Sequence, residues 1–276
     1  MKDTASAFTG ELSISSTTGV FSNMASTTHN ATLNVHTTAP TPSHPAPDNP
    51  PRSYSYYHAG PLFTLAELTS NINLARAITS TSNHKFNATV PQDLEQRDTT
   101  PHAIRDADIR ALLSCDLALF TYDGAELDSG TVVEYMFAKF ADIPTVILRT
   151  DFRGAGDQGG EGDKWNLMSS FYPRTKGVVV DSMGVYKAGL ALALDQGTKE
   201  SEAGVQAGNY VTRKTAEMVV KAMDEVVSME SVMPKVLRPK VYEWLALMPG
   251  FKSEGDEGNM RSMMELLMRK EDRGLL

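Results

Sequence analysis

Five carboxylates surround one predicted strand, and this grouping is the feature of the sequence best suited to chemistry. The strand, DLALFTY, is a nearly continuous apolar run, as in buried parallel sheets. Open parallel sheets bind ligands outside the carboxyl ends of their strands. Two carboxyl groups in different surroundings can serve as a nucleophile and as a proton donor. We therefore expect an acid-based active site built from the carboxylates on or near this strand and its flanking helices, which are Asp108, Asp116, Asp123, Asp128 and Glu134.

The segment DSGT before TVVEYMFAKF predicts the start of a helix. Ser129 or Thr131 is the expected cap, the first amides would face the strand-end crevice, and Glu134 would fall in the first turn. An alternative is that Asp128 and Glu134 are there only because carboxylates are favourable at the positive end of a helix dipole. The residue types alone leave both interpretations open.

The composition excludes several classes of function. The chain has 26 Lys and Arg residues against 34 Asp and Glu residues, and its formal net charge of −8 leaves no polybasic face for duplex nucleic acid. The single cysteine, Cys115, excludes a disulfide framework and a cysteine-based zinc site. A G-x-G-x-x-G pattern at Gly154, Gly156 and Gly159 runs into further glycines and acidic residues. We therefore predict a loop there and not a dinucleotide site.

Targeting signals are also missing from the sequence. MKDTASAFTGELS carries acidic residues and lacks the basic start and apolar stretch of a signal peptide. No apolar run approaches the roughly 20 residues that cross a bilayer. We expect a cytoplasmic protein with no membrane partner.

The pattern of residues divides the chain into three parts. Residues 1–52 are rich in Ser, Thr and Pro and predict a disordered tail. Residues 53–197 alternate strands with helices, which predicts a flavodoxin-like α/β domain with a five-stranded parallel sheet and helices on both faces. Its first helix should follow Thr64 as N-cap, with Glu67 completing a capping box. Residues 198–276 are helical only and are expected to be an extension, the alternative being a second independent domain.

Four sequence blocks resemble those of the nucleoside 2-deoxyribosyltransferases. They are YHAGPLF, DIRALLSCDLALF, DSGTVVEYMFAKF and KWNLMSSF, and they lie between Tyr56 and Val180 in the family's order and spacing. The first three also suit the wider group of deoxynucleotide N-glycosidases. The resemblance implies a soluble enzyme of nucleotide salvage that acts on deoxynucleosides and nucleobases.

The resemblance also implies a role for individual residues. Glu134 matches the nucleophile that attacks C1′ of deoxyribose, and Tyr57 matches the tyrosine that orients this glutamate. Asp128 matches the aspartate that holds a sugar hydroxyl, and Asp108 matches the carboxyl group that faces the base. No metal or cofactor is implied.

Further residues are implied in substrate binding. Gly60 and Phe63 belong to the first block, and Asn166 and Met168 match residues that reach the sugar in a neighbouring subunit's site. The resemblance therefore implies a homo-oligomer with composite sites. Family members of the usual length end soon after the sheet, and their terminal carboxylate helps to close a site, whereas about eighty more residues follow here.

Three functions remain open at this point. The first is transfer of 2-deoxyribose between nucleobases through a glycosyl ester of Glu134. The second is hydrolysis of deoxynucleosides or their 5′-monophosphates, although Asp128 would repel a phosphate dianion. The third is a catalytically silent nucleotide-binding module.

Overall fold

A computed structural model describes residues 52–94, 100–153, 156–160, 162–248 and 255–276, with only the backbone at 255–257. Contacts divide the chain into Met1–Asp48 and Asn49–Leu276, and all described residues fall in the second unit. The predicted tail, apart from Arg52, therefore lies outside the described residues. No helix in the described ranges has the length and apolarity of a membrane span.

A five-stranded parallel sheet forms the centre of the second unit, as the sequence predicts. Its strands are β1 (Tyr54–Ala59), β2 (Phe86–Thr89), β3 (Leu117–Thr121), β4 (Thr145–Arg149) and β5 (Thr175–Val179). Their order in space is β2-β1-β3-β4-β5, and every neighbouring pair is parallel. This is the strand order of the flavodoxin-like fold.

Within the described ranges, seven α-helices connect and follow the strands. Thr64 caps the first of them, and the predicted capping box with Glu67 is present. The helices are α1 (Leu65–Thr81), α2 (Pro101–Ser114), α3 (Ser129–Phe140), α4 (Ser182–Asp195), α5 (Glu200–Val227), α6 (Arg238–Ala246) and α7 (Gly255–Asp272), and short 3₁₀ turns lie at Pro91–Asp93 and Leu167–Ser169.

Helices cover both faces of the sheet, which confirms the predicted architecture. Side chains alternate along β1, so that Tyr56 and Tyr57 enter apolar clusters on opposite faces. The Tyr56 cluster contains residues of α1 and α5, such as Ile78 and Val219. The Tyr57 cluster contains residues of α2, α3, α6 and α7. Helices of the C-terminal region thus contribute to the core on each face.

Candidate active site

A buried tyrosine and a glutamate meet at the carboxyl end of β1. Tyr57 lies in β1 with no exposed surface, and Glu134 lies in α3. The Tyr57 hydroxyl donates a hydrogen bond of 2.6 Å to Oε1 of Glu134. This bond fixes one carboxylate oxygen of Glu134 and leaves Oε2 available for another partner.

The N-terminus of α3 differs from the sequence prediction. Asp128 is the N-cap, and its Oδ2 accepts hydrogen bonds from the backbone N–H of Thr131 at 2.7 Å and from its hydroxyl at 2.8 Å. The prediction that Ser129 or Thr131 would cap the helix is wrong, because an aspartate one residue earlier reaches both donors. The helix consequently starts at Ser129, and Glu134 lies in its second turn and not in its first.

A cavity of about 580 Å³ brings together three of the predicted carboxylates. Glu134, Asp108 and Asp128 all line it. Most of its other lining is apolar or backbone, and it includes both predicted residues of the first sequence block, Gly60 and Phe63, with Leu62, Pro91, Pro101, Ile104 and Ile109. The arrangement is a largely apolar slot with acidic groups, which suits a flat heterocycle attached to a sugar.

The two lining residues from the first sequence block, Gly60 and Phe63, differ in their surroundings. A Cβ on Gly60 would approach Cβ of Thr121 to 3.1 Å, so a glycine lets β1 and β3 leave the sheet close together. Phe63 is 77% exposed. Its ring therefore has apolar surface available for contact with a ligand or another chain.

Burial changes the protonation of the two central acids. It raises the pKa of Glu134 to about 7, against the lowering effect of the Tyr57 hydrogen bond and together with repulsion from Asp108 and Asp128. Burial also raises the pKa of Asp108 to about 6. Oδ1 of Asp108 is buried and has no hydrogen-bond partner among the described residues. Asp108 is thus a carboxyl group that can hold a proton near neutral pH and present it to a ligand.

The sequence places Glu134 in the first turn, where a helix N-terminus would favour its anionic form, but the structure places it in the second turn. The favourable effect of a helix terminus falls off within the first turn, and Glu134 lies beyond it. Desolvation therefore dominates. The pKa of Tyr57 is also raised, by burial and by the Glu134 charge, so this hydroxyl remains protonated and acts as a donor.

Two of the five candidate carboxylates have structural partners elsewhere. Asp116 precedes β3, at the end of the sheet opposite the cavity, and its Oδ2 accepts a hydrogen bond from the Ser55 N–H. Asp123 follows β3 and accepts hydrogen bonds from the hydroxyl of Thr150 at 2.5 Å and its N–H at 2.6 Å, which joins the loops after β3 and β4.

The fourth block forms a separate cavity of about 520 Å³. Asn166 and Met168 line it with Trp165 and Tyr172, and neither lines the cavity that contains Glu134. Oδ1 of Asn166 accepts a hydrogen bond from the Met168 N–H, and Met168 is 75% exposed. Within one chain, these two residues are therefore apart from the acids.

The glycine-rich segment before this block forms a loop, as predicted. No helix begins in the described residues 156–160 and 162–166, whereas Gly154 lies outside the description. Gly156 has a positive φ of 85°, and a Cβ on it would collide with the carbonyl of Trp165 at 2.4 Å. The glycine thus serves close chain packing.

Sequence reasoning missed Arg149, a fully buried arginine at the end of β4. Its guanidinium donates to the backbone oxygens of Tyr122 at 2.6 Å and of Gly124 at 3.1 Å, which orders the loop that leads to Asp128. The sequence signal for a buried arginine was its position as the last residue of the apolar strand TVILR. His58, beside Tyr57, is buried with no hydrogen-bond partner for either ring nitrogen among the described residues, and burial lowers its pKa to about 4.

The fold and the site define a carboxylate-based α/β domain, and one family model matches most of this domain. Residues 56–190 match the family model described as Nucleoside 2-deoxyribosyltransferase. The match covers just under half of the chain and confirms the resemblance found in the sequence. No curated protein sequence is significantly similar to the chain.

Solved structures similar to the chain include two distant ones. A conserved protein from Enterococcus faecalis V583 is 25% identical with a TM-score of 0.40, and the match covers 46% of this chain and 92% of that one. A 2-desoxiribosyltransferase from Leishmania mexicana is 22% identical with a TM-score of 0.37, and the match covers 51% of this chain and 97% of that one.

Proposed function

We propose that the protein transfers 2-deoxyribose between nucleobases through a covalent ester on Glu134. The single observation that carries this proposal is the 2.6 Å hydrogen bond from Tyr57 to Glu134 at the wall of a cavity that also contains Asp108. Such a reaction recycles bases between nucleosides, which is consistent with a cytoplasmic role in nucleotide salvage.

The first half-reaction breaks the bond between C1′ and the base. Oε2 of ionised Glu134 attacks C1′, and the electron pair of the C1′–N bond moves into the base. The base takes the proton of Asp108 as it departs. The developing positive charge on the sugar is stabilised by the carboxylate before the ester forms. Tyr57 holds Oε1 throughout and fixes the direction of attack.

The second half-reaction reverses these roles with a different base. A ring nitrogen of the incoming base attacks C1′ and displaces Glu134, and its proton returns to Asp108. The reactive protein therefore needs ionised Glu134 and protonated Asp108 together. With a pKa of about 7 for Glu134 and about 6 for Asp108, the pair shares one proton between pH 6 and pH 7. The reactive form is the minor arrangement of that proton, because the proton lies mainly on Glu134.

Asp128 supports a neutral nucleoside as the substrate. Its Oδ2 is occupied by Thr131, so Oδ1 is the oxygen that remains for a sugar hydroxyl. A 5′-phosphate at the position of the sugar hydroxyl would bring a dianion close to the Asp128 carboxylate, whereas Arg105, Ser129 and Gly130 also line the cavity. Repulsion between like charges in a partly buried cavity disfavours the monophosphate.

Intact-mass spectrometry after incubation with a deoxynucleoside and no acceptor base tests the covalent step. We expect a glycosyl adduct on the wild type, with peptide mapping to Glu134, and no adduct on Glu134→Ala. Glu243→Ala is the matched control, because Glu243 is an exposed carboxylate of α6 that lines neither of the two cavities. An adduct on Asp108 would overturn the assignment of roles.

Chromatography with a second base separates transfer from the alternatives. New nucleoside indicates transfer, and free base without new nucleoside indicates hydrolysis. A silent binding module would give neither product and would bind ligand equally well with and without Glu134.

We also propose that Asn166 and Met168 complete the site of a neighbouring copy. Support comes from the family resemblance of their block, the exposure of Met168 and the separation of both residues from the Glu134 cavity. A chain that sediments as an active monomer at assay concentration would contradict this proposal.

We further propose that residues 53–197 form the catalytic domain and that residues 198–276 are an extension that folds only against it. Support comes from α5, whose Val219, Met223 and Val226 are buried in the cluster on one face of the sheet. Limited proteolysis tests this division. A stable, folded fragment of residues 198–276 alone would contradict it.

A further inference from the structure

Two cationic side chains of α7 contact the C-terminal end of α2. Nη2 of Arg269 donates to the backbone oxygen of Ser114 at 2.9 Å, and Nζ of Lys270 donates to the backbone oxygen of Cys115. Ser114 is the last residue of α2 and Cys115 is its C-cap. The last carbonyls of a helix lack partners within it and carry partial negative charge, so these cations stabilise the end of α2.

Lys270 is unusual because it is only 2% exposed. Removing an ammonium group from water is costly unless the group is hydrogen-bonded and offset by charge. Its surroundings provide such compensation through the Cys115 carbonyl and the neighbouring charge of Asp116. The direct bond to α2 is the clearest reason for a charge at this position.

Both helices contribute leucines to one buried apolar cluster. Leu112 and Leu113 of α2 belong to the same buried cluster as Leu266 and Leu267 of α7. Tyr57 is also a member of this cluster. The two helices and the strand that carries Tyr57 therefore share one apolar core.

The residues after α7 provide a third link. Nη2 of Arg273 donates to Oδ2 of Asp116 and to the backbone oxygen of Ser53, each at 2.9 Å. The same oxygen of Asp116 accepts a hydrogen bond from the Ser55 N–H at 2.8 Å. The C-terminal end of the chain thus ties the junction of α2 and β3 to the beginning of β1.

We propose that α7 positions the proton donor of the active site: Arg269 and Lys270 hold the end of α2, and α2 holds Asp108 in the catalytic cavity. Asp108 lies six residues before Ser114, about 9 Å along the helix axis, so a shift of one end moves the other. Arg269 and Lys270 are positioning residues that touch no substrate. The inference rests on the proposed function, because it assigns Asp108 the task of protonating the base.

Two substrates that differ in their need for a proton test the inference. The base of 2′-deoxyguanosine must be protonated as it leaves, whereas the base of 7-methyl-2′-deoxyguanosine is already cationic. For Lys270→Met we expect kcat on deoxyguanosine to fall by roughly 10- to 100-fold, since small misplacements of a catalytic group have effects of this order. We expect kcat on the methylated substrate to stay within about threefold of wild type, and KM to change little on either.

Arg269→Met provides a second variant, because Arg269 is exposed and its replacement leaves the core intact. It should show the same selective loss to a smaller degree, and Arg269→Lys should recover part of it. Lys85→Met is the matched control, since Lys85 forms an ion pair with Asp224 in α5 on the other face of the sheet. Equal losses on both substrates, or no loss on either, would overturn the inference.

Amide hydrogen exchange separates this inference from the proposed function. Wild-type protein that leaves both nucleosides intact would count against the proposed function alone. In that case the support of α2 is still measurable: α2 amides should exchange faster in Lys270→Met than in wild type, while those of α1 should be unchanged. Unchanged exchange in α2 would refute the support itself.

Discussion

Replacement of Glu134 by glutamine should make the protein more stable at alkaline pH while removing its activity. Glutamine has the same shape and its oxygen can still accept the Tyr57 hydrogen bond, so the substitution removes mainly the charge. The carboxylate is held where burial opposes ionisation, and the two neighbouring acids add repulsion. The wild type therefore ionises Glu134 at a cost in folding free energy.

The size and sign of the effect follow from the pKa of Glu134. The folded-state value of about 7 lies above the ordinary value of 4.5. The stability associated with a raised pKa is fully present below the unfolded value and is lost as pH rises through the folded value. At pH 8 ionisation of Glu134 lowers the free energy of unfolding of the wild type, relative to Glu134→Gln, by about 3 kcal/mol. At pH 5 the same difference in the free energy of unfolding is under about 1 kcal/mol. A domain of this size gains about 2–4 °C in Tm per kcal/mol, so Glu134→Gln should melt about 6–12 °C above wild type at pH 8.

Thermal and urea unfolding of both proteins from pH 5 to pH 8 measure this difference. The difference in stability between Glu134→Gln and the wild type should increase with pH. The contributions of the other titrating groups are largely the same in both proteins and cancel in this difference. Glu243→Gln in α6 is the control, because that carboxylate is exposed and its removal should leave the curves parallel. A gap between wild type and Glu134→Gln that does not change with pH would refute the reasoning.

Three further predictions concern catalysis. The pH profile of kcat/KM should be a narrow bell with limbs near 6 and 7, because Glu134 and Asp108 share a single proton only between these two values. Asp108→Asn should remove the alkaline limb, and a broad plateau from pH 5 to pH 9 would contradict this. Tyr57→Phe should lower kcat by ~10–1,000-fold and move the alkaline limb near 7 upward. The intact hydrogen bond lowers the pKa of Glu134, so its loss raises that pKa, and an unmoved limb would count against the bond. Asp128→Ser removes the charge that should repel a phosphate. The ratio of kcat/KM on a deoxynucleoside 5′-monophosphate to kcat/KM on the nucleoside should therefore rise by about tenfold or more. An unchanged ratio would show that Asp128 does not repel phosphate.

Sequence reasoning predicted the sheet because its signals are local. Apolar runs such as LALFT and TVILR are typical of central strands, and the helical patterns between them favour parallel pairing. The cap of α1 was also predictable, since Thr64 and Glu67 have the spacing of a capping box. Such features depend on residues only a few positions apart.

The carboxylates near β3 show where local reasoning fails. Asp116 and Asp123 lie beside the same strand as Asp108 and Asp128, yet their partners, Ser55 and Thr150, are distant in sequence. The hydrogen-bond partner of a carboxylate near a strand end depends on which donor the tertiary structure places beside it. The protonation of Glu134 was missed for the same reason, because its desolvation depends on residues from several elements.

The position of Glu134 within α3 connects its stability cost with its chemistry. In the first turn, free amides would stabilise the carboxylate and reduce its tendency to attack C1′. In the second turn it is buried and receives the bond from Tyr57, while Asp128 occupies the amide-rich end of the helix and accepts the two hydrogen bonds from Thr131. When a charged carboxylate is poorly stabilised by its surroundings, the positive charge that develops on the sugar in the transition state lowers its energy the most. The same desolvation that should make Glu134→Gln the more stable protein should therefore make Glu134 the more effective nucleophile.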